Sequence, residues 1–356
     1  IYAELKALRA YYYYMLLDMF GNVPIVTDFE DLSLPTQSSR KQVYDFVESE
    51  LTEAIPFLKP NVVYSKMTKN VAYSLLARLY LNSEAFIGVQ RWQDCLNMCQ
   101  KVSGYTLTPD YFANFATENQ TSSEIIFAIP YDSKAGTVGN YMSSMSAHYL
   151  HKLTLSPTGN YPWSGNGMAA QPGVYSSFSE TDKRKASMLI GDQINLANGS
   201  VITMDSGASL TYTEEISSLT DAKENEGVRL NKYEANAGDG WERDNDLVII
   251  RYAEILMMQA ECYVRIGSPS LAVPYVQQIT ARAGTEMPAV VDLDFIDREL
   301  LREFIFEGRR RTDNIRFGTY FEPWWEKGSN PKTAGIFPIP TSVLNTNSNL
   351  TQNPGY

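Results

Sequence analysis

Residues 247–283 read LVIIRYAEILMMQAECYVRIGSPSLAVPYVQQITARA. Leu247–Ile266 carries apolar side chains at helical spacing, and Pro269–Ala283 supplies its antiparallel partner. Ala260, Tyr263, Ala272, Val276 and Ile279 are separated by 3, 9, 4 and 3 residues. Those are the offsets at which a tetratricopeptide helix hairpin sets its small and large packing residues. Leu76, Ala77 and Tyr80 give the first half of a similar hairpin earlier in the chain. Each hairpin must bury a face against a neighbour, so the two need not be separate domains. The expected fold is mainly α, with tetratricopeptide-like helical hairpins.

Upstream, AELKALRAYYYYMLLDMF over 3–20 repeats Leu5, Leu8, Tyr12, Met15 and Met19 at three- and four-residue steps. This predicts an amphipathic helix ended by Gly21, then an extended piece at Pro24. Helices are predicted over Arg40–Leu58, over Met67–Phe86 with Thr68 as cap, and over Trp92–Val102. After Gly104 the texture changes. SEIIFAIP (123–130) is the best strand, and short strands are possible near Val201–Met204 and Leu210–Thr213. From Tyr131 to Arg243 glycine, serine, asparagine and tyrosine dominate. A block this long is too large for a simple connection and reads as a loop and short-strand insertion that carries function.

Downstream lies LLREFIFEGRRRTDNIRFG (300–318), with Arg302, Arg309, Arg310, Arg311 and Arg316 interleaved with Glu303, Glu307 and Asp313. Leu300, Leu301, Phe304 and Ile305 make one apolar helical face, with Asp294 as the expected cap. At Gly308 either the helix continues or the chain turns and arginines crowd a last turn. Interleaved acids favour an ion-pair seam over an anion site, so Arg309 and Arg310 are expected to carry stability, not binding. The tail 319–356 is rich in proline and asparagine and forms no long helix; Trp324 and Trp325 are read as packing residues. One domain over 1–356 is expected: hairpins 1–104, a loop- and strand-rich block 105–246, a hairpin and charged helix 247–318, and a tail 319–356.

Composition narrows the function. The chain has 356 residues, 30 basic and 41 acidic side chains, and a net charge of −11. An acidic balance argues against nucleic acid. Twelve per cent of residues are aromatic, and 23 of them are tyrosines, flat faces with polar tips. The three cysteines show no disulfide or zinc spacing. His148 and His151, three apart, are a weak metal pair, and no metal or cofactor is expected. No run of about 18 apolar residues marks a membrane span. The chain opens inside a helical pattern, which reads as a fragment or processed form.

In order along the chain, AELKALRAYYYYMLLDMFGNVPIV, SEIIFAIPYD, IIRYAEILMMQAECYVRIG, LLREFIFEGRRRTDNIRFG and IFPIPTSVLNTNSNLTQNPGY resemble five signatures of the SusD/RagB family of glycan-binding outer-membrane lipoproteins of Bacteroidetes. Only about 131–245 lacks a recognisable pattern. The family's lipoprotein signal, lipidated cysteine and further N-terminal helices do not precede Ile1, and Asp297-Arg298-Glu299 stands where a Glu-Arg pair is usual. The resemblance implies a non-catalytic protein on the outer surface of the outer membrane, held by an N-terminal lipid not present in this chain. It would bind an oligosaccharide and pass it to a SusC-like TonB-dependent transporter. A peptide-binding repeat adaptor and a paired-carboxylate glycosidase are the alternatives. Two histidines in a loop-rich segment disfavour serine or cysteine catalysis.

Sugars present apolar ring faces edged by hydroxyls, so rings and amide or carboxylate groups in the irregular block are the candidates. Tyr161, Trp163 and Asn166 lie in NYPWSGNG, and Asp239 and Trp241 in GDGWERD; Tyr141 and Tyr175 are further candidates. Trp163 leads, because glycines and a serine around it leave little to bury it.

Overall fold

Two apolar stripes compete for the core along α1 (Tyr2–Phe20), and the one rich in alanine wins. Ala3, Ala7, Ala10, Tyr11, Tyr14 and Leu17 are buried. The Leu5–Tyr12–Met15 stripe that gives the sequence its period faces outward instead. Small alanines let the next helices approach closely, a gain that bulky side chains cannot match. The computed structural model describes residues 1–28, 30–60, 62–137, 139–155, 164–237, 239 and 241–356.

Helix α2 (Arg40–Ala54) opens with a capping box at Ser39: Ser39 Oγ accepts from Gln42 N at 3.3 Å, and Gln42 Oε1 from Ser39 N at 2.8 Å. Val43, Val47 and Leu51 enter the core. Thr68 caps α3 (Lys69–Leu81) as expected. The run predicted as one helix breaks at Asn82, and α4 (Ser83–Ile87) completes it. Gly88, left-handed at φ 72°, leads to α5 (Trp92–Cys99). Cys95, Cys99 and Cys262 are all buried.

Strand β1 (Ile125–Ile129) follows, and then the irregular block. The block holds α6 (Met142–Ser146) and the two-residue strands β2 (Met188–Leu189), β3 (Gly191–Asp192), β4 (Thr211–Tyr212) and β5 (Arg229–Leu230). β2 pairs with β5 and β3 with β4, both antiparallel. The hairpin of residues 247–283 differs from its sequence reading at its start. Leu247–Arg251 is strand β6, antiparallel to β1, and α7 (Tyr252–Arg265) begins only after it. A short apolar run cannot be told from helix by periodicity alone. α8 (Val273–Ala283) returns along α7, and Ala260, Ala272, Val276 and Ile279 are fully buried between them and α9 (Leu293–Glu303). Asp292 caps α9, accepting from Phe295 N at 2.8 Å, in place of the expected Asp294.

At Gly308 the chain turns. Phe306 and Gly308 are both left-handed, and α10 (Arg310–Phe317) starts afresh. The arginines therefore open a helix rather than close one. The helix dipole opposes them there, and carboxylates hold them. Arg309 Nη1 lies 2.8 Å from Glu254 Oε1, Arg310 clasps Asp297 at 2.6 and 3.0 Å, and Arg311 reaches Asp18 at 3.2 Å. Behind them is a fully buried cluster. Glu303 accepts from Arg184 (2.9 Å), Arg251 (2.5 Å) and Arg282. Glu124 takes Arg251 and Arg282, and Glu307 takes Arg251 and Lys232. Short 3-10 turns and α11 (Thr341–Thr346) make up the tail.

Candidate functional site

Around α6 three loop segments meet. Asn140 pairs with Arg243 in an isolated bridge, and Ser144 Oγ donates to Trp241 O at 2.8 Å. The end of α6 then receives residues 165–167: Gly165 N donates to Ser144 O (2.8 Å), Asn166 N to Ala147 O (3.0 Å) and Gly167 N to Met145 O (2.7 Å). A Cβ on Gly165 would sit 3.1 Å from Trp241 Cη2. The indole thus packs closely over the loop at this glycine. Tyr141 precedes α6 and is 45% exposed, and Trp241 is half-buried.

Asn166 adopts φ 48°, a region asparagine tolerates better than most residues. Its amide is already engaged on both sides. Oδ1 accepts from Arg229 Nε at 3.0 Å, and Nδ2 donates to Glu224 O at 2.8 Å. Buried Arg229 also donates to the carbonyls of Glu224, Glu226 and Gly227. With no carboxylate among these partners, burial pushes its pKa down. Asn166 therefore acts first as a pin for its loop, with one amide hydrogen and one lone pair left for a ligand.

Of the residues chosen from sequence, Tyr141, Asn166 and Trp241 lie on segments that meet at α6. Asp239, half-buried, spends Oδ2 on Asn236 N at 2.6 Å and so closes the turn before Trp241. Tyr175 lies apart, packed with Ala170, Phe178, Met188 and Val228, with Lys185 Nζ 4.3 Å over its ring. Tyr161 and Trp163 lie outside the described residues. Trp324, read as packing, is 37% exposed, because the turn Trp324–Lys327 holds it out.

Sequence reading missed Tyr149 and Glu224. Tyr149, 37% exposed, donates to Glu224 Oε2 at 2.7 Å. His148 is buried behind it: Nδ1 accepts from Leu150 N at 3.1 Å, which leaves the ring proton on Nε2, 3.4 Å from Glu224 Oε2. Burial lowers the His148 pKa, with Glu224 opposing, so the ring is neutral at neutral pH. His151, also buried, is pushed down to about 4. Only the pair of histidines hinted at this corner, and nothing in the sequence tied it to a glutamate 76 residues on from His148. Among the described residues no group of three or more His, Cys, Asp or Glu is placed to hold a metal ion.

Tetratricopeptide-like hairpins carrying a long insertion, with aromatic rings at the insertion's surface, define the class of SusD-like scaffolds. Residues 99–356 match the model of the SusD family, and residues 1–81 match a model described as starch-binding associating with outer membrane. The chain belongs to the SusD family. It is 26% identical to the starch-binding protein SusD of Bacteroides thetaiotaomicron, over 99% of this chain and 72% of that one. Among solved structures it superposes on a laminarin-binding SusD-like protein with a TM-score of 0.79 at 23% identity, over 99% of this chain and 78% of the other. Surface glycan-binding protein A of the same Bacteroides species, in complex with laminarihexaose, gives a TM-score of 0.77 at 24% identity, over 99% and 77% of the two chains.

Proposed function

We propose that the protein is a non-catalytic glycan-binding protein of the outer-membrane surface. It takes oligosaccharide chains on the cluster of Tyr141, residues 165–167 and Trp241, and delivers them to a SusC-like TonB-dependent transporter. The observation that carries this reading is an exposed tyrosine and a half-buried tryptophan on loop segments that meet at α6, in a member of the SusD family. A ring laid flat on a fixed loop offers apolar area to a sugar face at small entropic cost. Starch, laminarin and glycan binding in the relatives' names supports the ligand class. The outer-membrane description of the N-terminal match supports the location, and among the described residues no helix is long and apolar enough to cross a membrane.

A glycosidase needs a proton-bearing acid beside an ionised one. The carboxylates of the arginine seam are spent on ion pairs instead. Glu303, Glu307 and Asp313 have pKa values below their ordinary range, because neighbouring cations more than offset the effect of burial. Burial raises the pKa of Asp18, but that carboxylate is tied to Arg311 and Thr312. Calorimetry with maltohexaose and laminarihexaose, alongside a reducing-end assay, tests the reading. Binding without hydrolysis, weakened by Tyr141→Ala and Trp241→Ala at unchanged melting temperature, is expected. Release of reducing ends, or silence toward a broad glycan panel, refutes it.

A further inference from the structure

The turn that carries Trp324 is built, not loose. Trp324 N donates to Lys327 O at 3.0 Å, and Lys327 N returns a bond to Trp324 O at 2.7 Å. The Lys327 ammonium donates to the carbonyls of Tyr320 (3.0 Å), Glu322 (3.2 Å) and Gly328 (3.3 Å). Glu326 is held at φ 53°, a conformation that costs energy in a non-glycine residue and persists only where its surroundings enforce it. Beneath, the 3-10 turn Thr319–Phe321 rests against a second one, Lys332–Gly335: a Cβ on Gly335 would lie 3.2 Å from the Phe321 ring. On this base the indole remains 37% exposed. Burying a large apolar side chain is favourable, so a rigid turn that forgoes part of that gain presents a preorganised flat surface.

The turn is also tied to the other aromatic cluster. Glu326 Oε2 accepts from Leu219 N at 2.7 Å. Five residues on, the Glu224 carbonyl accepts from Asn166 Nδ2, and the Glu224 carboxylate takes the Tyr149 hydroxyl. Five residues span at most about 18 Å. One short loop segment therefore joins the Trp324 turn to the loops that carry Asn166 and Trp241.

We propose that Trp324 is a second sugar-stacking platform, so that one neutral glycan chain is gripped at two points, by the Tyr141–Trp241 cluster and by the tail. The proposal rests on the glycan-binding reading given above. The charge around the ring selects a neutral chain. Glu322 and Glu326 flank it in the chain, and the Lys327 ammonium, 5.5 Å from the ring centroid, is already spent on three carbonyls. That field disfavours uronate or sulfated sugars. Two contacts on one ligand raise affinity only for chains long enough to reach both.

The test measures affinities of the full chain and of Trp324→Ala for soluble starch and laminarin and for the corresponding trisaccharides, together with melting temperatures. Where the wild type binds a polysaccharide, Trp324→Ala is expected to weaken it by about a hundredfold. Trisaccharide affinity at the Tyr141–Trp241 cluster and the melting temperature should stay as they were, and Trp324→Phe should restore most of the loss. Unchanged polysaccharide affinity in Trp324→Ala, with affinity lost in Trp241→Ala, sinks the second platform and leaves the first reading standing. A melting temperature several degrees lower, with binding lost only in proportion to the unfolded fraction, makes Trp324 a packing residue and overturns the proposal. Failure of the wild type to bind any glycan removes both readings.

Discussion

Glu303 has no exposed surface, and three guanidinium groups converge on its carboxylate from Arg184, Arg251 and Arg282. Taking one buried charge from such a set leaves its partners uncompensated. Glu303→Gln keeps the volume and should cost about 3–5 kcal/mol, read as a shifted urea midpoint at unchanged slope. A midpoint within experimental error of wild type would show that Glu124, Glu299 and Glu307 suffice for the arginines. The pH dependence has a definite sign. Glu303 has a folded pKa below its unfolded value of about 4.5, so its stabilisation is present above that pH and is lost as the pH falls. Lys232 behaves the other way. It is buried with its ammonium on the carbonyls of Glu303 and Ile305 and on Glu307, and burial lowers its pKa from 10.5 to about 8, with Glu307 opposing. Between those two values the unfolded chain holds a proton that the folded one has released, so this residue makes stability rise with pH. The stability difference between wild type and Lys232→Met should therefore move in favour of wild type from pH 8 to 10. A flat difference over that range would mean that Lys232 titrates as an ordinary lysine.

Among the elements, α10 shows how much sequence reading can and cannot reach. The five arginines of 300–318 and their acids identified a seam, and the structure makes one. Their position relative to the helix was not legible. It depends on Phe306 accepting a left-handed backbone, which its chemistry does not suggest. The same holds elsewhere. Leu247–Arg251 merged with the helix behind it, because a buried strand and a buried helical turn share one apolar signature. On α1 both stripes are apolar, and only the closeness of neighbouring helices decides between them. At the candidate site Trp241 and Asn166 were legible as surface-loop residues. Their meeting across α6 was not, because it rests on hydrogen bonds to α6 from segments 21 and 97 residues away, those of Gly165 with Ser144 and of Ser144 with Trp241. The helix geometry also separates two arginines that read alike. Arg309 is largely buried against Glu254 and Asp313, whereas Arg310 is more exposed and pairs with Asp297 alone. Arg309→Ala should cost about 1.5–3 kcal/mol, as for a lost bond to a charged group. Arg310→Ala also relieves a cation at a helix N-terminus and should stay within about 1 kcal/mol. Equal losses in thermal unfolding would deny that burial separates them.

Across the whole molecule the last residues close onto the first helix. Phe337 N donates to Met19 O at 2.7 Å, Asn347 Nδ2 to Pro35 O at 2.9 Å, and Thr351 N to Gln37 Oε1 at 2.9 Å. Asn353 is the centre of this clasp. It is buried, and its Nδ2 donates to Phe20 O (2.8 Å) and Phe337 O (2.9 Å), while Oδ1 accepts from Asn22 Nδ2 (3.2 Å). One amide thus satisfies both ends of the chain, which gives a physical reason for an asparagine in the closing Asn-Pro-Gly-Tyr. Aspartate would match the shape but could not donate to either carbonyl. Removing the amide leaves the Phe337 carbonyl and the Asn22 amide short of a partner, each worth about 1–3 kcal/mol where water cannot replace it, while Phe20 O keeps its bond from Asn22 N at 2.8 Å. Asn353→Ala should therefore lower stability by a few kcal/mol, and its hydrogen-exchange signature should be paired. Protection should fall together in residues 20–39 and in 337–353, while the α7–α8 hairpin, whose core lies elsewhere, keeps its rates. Faster exchange confined to the tail would mean that α1 and its turn stand without the clasp, and that the closing segment is bound to the fold rather than holding it.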